Sequence, residues 1–238
     1  MKKYKPKIIA EIGLNYIGNK KILQQYINKL AKSNVDGISL QVLKKNFYKG
    51  KFENYFLDDE ILINFVLRSK KKFKYVGIAS DNLNSISKLK EHGINFVKIL
   101  SKDINNLKLI KHCINENFKD IFISTGFRPS IKSLKTLLKK IDSTNVSLIH
   151  TNLKNDDLRI NLHEILKLKK EFNLPISYGN HSKYLETISN SVFYLPYAIF
   201  FYVKLNRKNI IFPDNKHAVT LNNLNNIIKN IYKNIKTI

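Results

Sequence analysis

The chain has 238 residues, 43% hydrophobic and 25% charged, which is enough for one α/β domain with a sizeable core. A single cysteine, Cys113, excludes an internal disulfide, and neither a signal-like leader nor a run of about 18 apolar residues is present, so a soluble cytoplasmic protein without a membrane span is expected. The formal charge of +24 comes from lysines scattered over nearly every helical segment, which argues against a dedicated nucleic-acid surface and remains compatible with anionic small substrates.

Short runs rich in Ile, Val and Phe alternate with segments of helical period, the pattern of parallel βαβ units. Eight strands are expected: Lys7 to Gly13, Asp36 to Val42, Lys74 to Ala79, Phe96 to Leu100, Asp120 to Thr125, Val146 to Thr151, Pro175 to Tyr178 and Ala198 to Leu205. Most are too uniformly apolar to be exposed on either face. Between them, apolar residues recur three and four apart, as in Ile22, Leu23, Tyr26, Ile27 and Leu30. A helix over Ser130 to Ile141 follows Pro129, another over Leu162 to Phe172 stops before Pro175, and a last one runs from Leu221 to Ile235. Eight strands with helical crossovers favour a single-domain (β/α)8 TIM barrel spanning 1–238. An open doubly wound sheet is the alternative, because periodicity counts units without telling closure from openness. The segment Lys44 to Asp59, with Phe47, Tyr48, Phe52, Tyr55 and Phe56, reads as a lid, a partner surface or a packed insertion on the catalytic face.

Barrel enzymes place their chemistry at the C-terminal ends of the strands. Those ends collect Glu11 and Asn15, Gln41, Ser80, Lys98 and Ser101, Ser124 with Thr125 and Gly126, His150 with Asn152, and His181. Hydroxyls and a lysine suit a phosphate, which takes several donors and a positive charge. A carboxylate, an amide and an imidazole suit a polar substrate or a metal. Each has a plainer reading as well: Ser124 to Gly126 as an ordinary turn, and Asn152, Gln41 and Ser101 as caps for backbone groups. Lys98 and Glu11 resist that reading, because a charge in an apolar strand is costly unless paired or used.

Taken together, Ile8-Ile9-Ala10-Glu11-Ile12-Gly13-Leu14-Asn15, Lys98-Ile99-Leu100-Ser101, Ser124-Thr125-Gly126, Tyr178-Gly179-Asn180-His181 and Pro213-Asp214 resemble, in order, the motifs of the N-acetylneuraminate (sialic acid) synthase family. The resemblance implies a cytoplasmic barrel that condenses phosphoenolpyruvate with an N-acetylated amino sugar to a nonulosonic acid and releases phosphate. It implies a divalent metal, manganese or magnesium, that polarises the sugar aldehyde. Carried over, Lys98, Ser101, Ser124, Ser80 and Asn152 hold phosphoenolpyruvate, His181 binds metal, and Glu11 and Asp214 contact the sugar; Asn15 and Gln41, from the strand ends, are expected to join the substrate-binding set. Phosphoenolpyruvate and the amino sugar are the implied partners, and a homodimer is left open.

Five positions depart from the pattern. Tyr16 replaces a histidine after Asn15, Ser39 stands where a lysine of the second strand is expected, and Gly179 replaces a serine. A Tyr-Pro pair expected near Lys154 is missing, and the second metal histidine, in the eighth strand, aligns with Lys204. The family's C-terminal antifreeze-like domain is also expected to be absent. The replacements at Ser39 and Lys204 motivate a second reading, a non-catalytic barrel that binds a ligand or regulates a complete synthase.

Overall fold

Strands apolar on both faces need cover on both faces, and a sheet closed on itself inside a ring of helices provides it. The computed structural model describes residues 4–153, 161–207 and 209–238. Its strands are β1 (Lys7–Gly13), β2 (Gly37–Val42), β3 (Tyr75–Ser80), β4 (Phe96–Ile99), β5 (Asp120–Ser124), β6 (Val146–Thr151), β7 (Ile176–Asn180) and β8 (Ala198–Lys204). Each pairs in parallel with the next, and β1 closes onto β8 with Lys7 opposite Ala198 and Glu11 opposite Tyr202. The barrel is therefore closed, and the open-sheet alternative is set aside.

The helices are α1 (Lys20–Leu30), α2 (Asp59–Ser69), α3 (Leu83–His92), α4 (Leu107–Asn115), α5 (Ile131–Leu138), α6 (His163–Glu171), α7 (Glu186–Asn190) and α8 (Leu224–Ile235). Local chemistry sets several of their starts: the side chains of Asn19, Asp58, Asn82, Asn106 and Ser130 each accept a backbone N–H of the first turn. Ser130 is thus the cap of α5 rather than its first residue. A short strand absent from the sequence reading, β9 (Val219–Thr220), pairs beside the end of β8, with Val203 opposite Val219.

Alternate residues of each strand point into the barrel. Ile9, Phe96, Phe122, Ile149 and Phe200 fill its middle as one cluster, with Phe122 and Phe200 at 4.8 Å between ring centres. The larger apolar cluster lies between strands and helices. The aromatic segment after β2 is a packed insertion of two 3₁₀ turns, Lys45–Tyr48 and Gly50–Tyr55. Its rings pack on one another, Phe47 on Phe52 at 5.1 Å and Phe52 on Tyr55 at 5.5 Å. Tyr16 anchors it by donating its hydroxyl to the Tyr55 carbonyl at 2.9 Å, so the tyrosine that replaces the expected histidine serves as a buried strut under this insertion.

Candidate functional site

The layer above the aromatic plug is polar. Glu11 from β1 and Lys98 from β4 are both buried, and the Lys98 ammonium donates to both carboxylate oxygens of Glu11 at 2.7 Å. They lie 87 residues apart in the chain. Closure of the barrel is what brings the two costly charges together, and each compensates the burial of the other. The rings of Phe200 and Tyr202 lie 5.4 and 5.7 Å from the ammonium, which shields the pair from below and from the β8 side.

One turn further out, Ser101 and Ser124 share a hydrogen bond of 2.8 Å, and the Gly126 amide donates to Ser101 at 2.9 Å. The 3₁₀ turn Ser101–Asp103 after β4 rotates Ser101 toward β5. Two hydroxyls and an amide on neighbouring strand ends make a small donor cluster of the kind an anion uses.

The third group surrounds His181. Its ring centre is 4.7 Å from that of His217, the planes 28° apart, and the ring of Tyr202 lies 5.3 Å from His181 and 5.0 Å from His217. His217 comes from the turn between β8 and β9, and no feature of the sequence reading pointed to it. That turn is tied down at several points. The Asp214 amide donates to the Asn15 side-chain oxygen at 3.1 Å, while Asn15 donates its side-chain N–H to the Val203 carbonyl at 2.9 Å. The Lys204 ammonium donates to the backbone and side-chain oxygens of Asn215, both at 2.7 Å. Lys204 is thus engaged with the turn.

Electrostatics follow from burial. Removal from water, with the charges of Lys98 and Lys204 nearby, depresses the His217 imidazole to about 4. His181 is held well below the ordinary range by burial, His217 and Lys98. Both rings are neutral near pH 7 and present lone pairs. Asp214 is pushed up to about 7 by burial and by the Glu11 carboxylate. The 3.7 Å approach of Asp214 Oδ1 to His217 Nε2 is therefore a contact with a neutral imidazole rather than an ion pair. Gly13 allows this crowding: its φ is +57°, and a Cβ there would meet the Tyr202 ring at 2.6 Å and Asp214 Oδ2 at 3.0 Å.

The remaining residues singled out from the sequence sit apart from these three groups. Ser80 is buried and accepts the Asn82 amide at 3.0 Å. Gln41 lies half-buried at the end of β2. Asn152, Thr125 and His150 line a cavity of about 580 Å³ between β5, β6 and helices α5 and α6, together with Arg128 and Glu164. The place of the expected Tyr-Pro pair, near Lys154, lies outside the described residues. Among the described residues, no three His, Cys, Asp or Glu side chains stand grouped to hold a metal ion, and no helix is long and apolar enough to cross a membrane.

Residues 68–238 match the model of the NeuB family. The N,N'-diacetyllegionaminic acid synthase of Campylobacter jejuni is 30% identical over a match covering 74% of this chain and 60% of that one. The enzyme of the same name from Legionella pneumophila is 23% identical, with 74% and 57% covered. The match thus covers less than two thirds of the length of these curated relatives. Among solved structures, the N-acetylneuraminic acid synthetase of Leptospira borgpetersenii shares the fold, with a TM-score of 0.88, 22% identity, and 98% of this chain and 85% of that chain covered. The Bacillus subtilis spore coat polysaccharide biosynthesis protein spsE follows at a TM-score of 0.84 and 20% identity, with 97% and 69% covered.

Proposed function

The chain belongs to the NeuB family, and from that premise we propose that it condenses phosphoenolpyruvate with an N-acetylated amino sugar to form a nonulosonic acid. The observation that carries this reading is the meeting, at one barrel mouth, of a buried Lys98, the Ser101 and Ser124 hydroxyls and two neutral imidazoles. An anionic enol substrate takes the first two and a polar aldehyde takes the third.

In this reading Lys98, Ser101 and Ser124 bind the carboxylate and phosphate of phosphoenolpyruvate. Glu11 and Asp214 face the sugar, and Asn15 holds the Asp214 turn in place through its two side-chain hydrogen bonds. Substrate has to draw Lys98 partly away from Glu11, which frees a carboxylate to accept a sugar hydroxyl. The enol carbon attacks the aldehyde and forms the new C–C bond. Asp214, held protonated to about pH 7, supplies the proton taken up by the former aldehyde oxygen. Water then adds to the adjacent carbon and phosphate departs.

A divalent metal fits the donors present: His181 is neutral, and beside it the buried His217 has no hydrogen-bond partner at either ring nitrogen among the described residues. When bound, such a metal acts as a Lewis acid on the aldehyde. Imidazole donors favour manganese over the harder magnesium.

The test is phosphate release from phosphoenolpyruvate with N-acetylmannosamine and related sugars, with and without manganese. Sugar-dependent release is expected. Binding of phosphoenolpyruvate by calorimetry without release under any condition would move the protein to the class of non-catalytic binding barrels.

A further inference from the structure

We propose that His217 supplies the second metal-binding imidazole of this barrel mouth, from the turn after β8, and that Lys204 is the positioning residue that presents it. The inference deepens the reading above and rests on it for its chemistry, but it concerns metal binding alone.

Three observations carry it. First, His217 is 6% exposed, and both ring nitrogens lack a hydrogen-bond partner among the described residues. A buried imidazole with two unmet nitrogens loses its hydration without compensation, and such a group calls for a missing ligand. Its nearest aromatic neighbour is His181 at the mouth, not an apolar packing partner.

Second, the spacing fits a shared ion. Two imidazoles on one divalent ion at about 2.1 Å from each nitrogen place their ring centres roughly 4.5 to 5.5 Å apart. The observed separation is 4.7 Å. With no third such side chain grouped among the described residues, the protein's share is the imidazole pair, and water and substrate complete the coordination.

Third, the turn is built to hold its histidine. Lys204 grips Asn215 through two hydrogen bonds of 2.7 Å, the amides of His217 and Ala218 donate to the Asp214 carbonyl at 3.2 and 3.0 Å, and Val219 pairs with Val203 immediately afterwards. Lysine at the end of β8 cannot ligate a metal while its ammonium is bonded this way, and the grip places the next imidazole along the chain beside His181.

The test is titration of the full chain with Mn²⁺ alone, followed by the electron paramagnetic resonance of the free ion, for the wild type, His181→Ala, His217→Ala and Lys204→Met, with circular dichroism as the check on folding. One ion per chain is expected for the wild type, with affinity at least tenfold weaker in each histidine variant and a few-fold weaker in Lys204→Met. Wild-type affinity in folded His217→Ala overturns the inference, as does no binding by the wild type. If His217→Ala does not fold, the ¹⁵N shifts of the wild-type histidines on adding Zn²⁺ decide. Coordination shifts in two rings support the pair, and a shift in His181 alone overturns it. Metal binding through both histidines with no sugar-dependent phosphate release sinks the synthase reading and leaves this one standing. Turnover with His217 outside the ligand set does the reverse.

Discussion

At the N-terminal end of the barrel, Lys7 donates to both carboxylate oxygens of Asp120 at 2.6 and 2.7 Å; at the opposite end, Lys98 donates to both oxygens of Glu11 at 2.7 Å. The pairs are alike in geometry and differ in company. Around Lys7, the Tyr197 hydroxyl donates to Asp120 at 2.6 Å, and the rings of Tyr197 and Tyr75 lie 4.0 and 4.8 Å from the ammonium. Around Lys98 stand an imidazole with unmet nitrogens and a carboxyl pushed up to about 7. The lower cluster spends its polar groups on each other and closes the barrel. The upper one keeps polar capacity for something outside the chain, as expected where a barrel puts conservation of stability at one face and chemistry at the other.

The sharpest way to break that contrast is Lys98→Met. It leaves Glu11 buried without its counter-charge, at a cost of about 3–5 kcal/mol of folding stability, and it removes the cation that phosphoenolpyruvate needs. The double variant Lys98→Met/Glu11→Gln is expected to recover most of that stability in urea unfolding while phosphate release stays absent. Turnover by the double variant would show that the upper pair, like the lower one, is structural.

Asp120→Asn tests the lower pair. It deprives Lys7 of its counter-charge but keeps an amide oxygen and both flanking rings, so about 2–3 kcal/mol is the expected cost. Where the variant is folded, kcat/KM should equal that of the wild type. A loss of turnover comparable to that of Lys98→Met would erase the distinction between the two ends.

Much of this frame is legible in the residues before any coordinates. Uniform Ile, Val and Phe runs place all eight barrel strands to within two residues at each end, because a strand covered on both faces has no polar side to blur its limits. Lys98 and Glu11 are each conspicuous as charges in apolar strands, but their pairing spans 87 residues and becomes visible only on closure. His217 is illegible for a different reason. It lies in an irregular turn with no period to place it, and its neighbour His181 belongs to another strand end. Counting along β8 therefore directs attention to Lys204, whose ammonium the structure ties to Asn215.

Acid sharpens the comparison from the other direction, because three imidazoles with lowered pKa, those of His150, His181 and His217, belong to the C-terminal half of the barrel. His150 is the one best isolated from the mouth. It belongs to β6 and lines the cavity beside α5 and α6, and its pKa falls from 6.5 to about 4, chiefly by burial and with Arg128 adding to the effect, against a smaller opposing pull from Glu164 and the Asn161 backbone. The unfolded chain takes up this proton near pH 6.5 while the folded chain resists it until about 4. Stability from the neutral ring is therefore complete above 6.5 and is lost as the pH falls through that window, by about 2 kcal/mol at pH 5. His150→Gln removes the titration, so the stability difference between wild type and variant, measured by urea unfolding at pH 7.5 and pH 5, should narrow by that amount in the variant's favour. A difference that stays constant across the two pH values would mean that His150 titrates in the folded protein as it does in the open chain, and that the acid sensitivity of this end resides in the His181 and His217 pair alone.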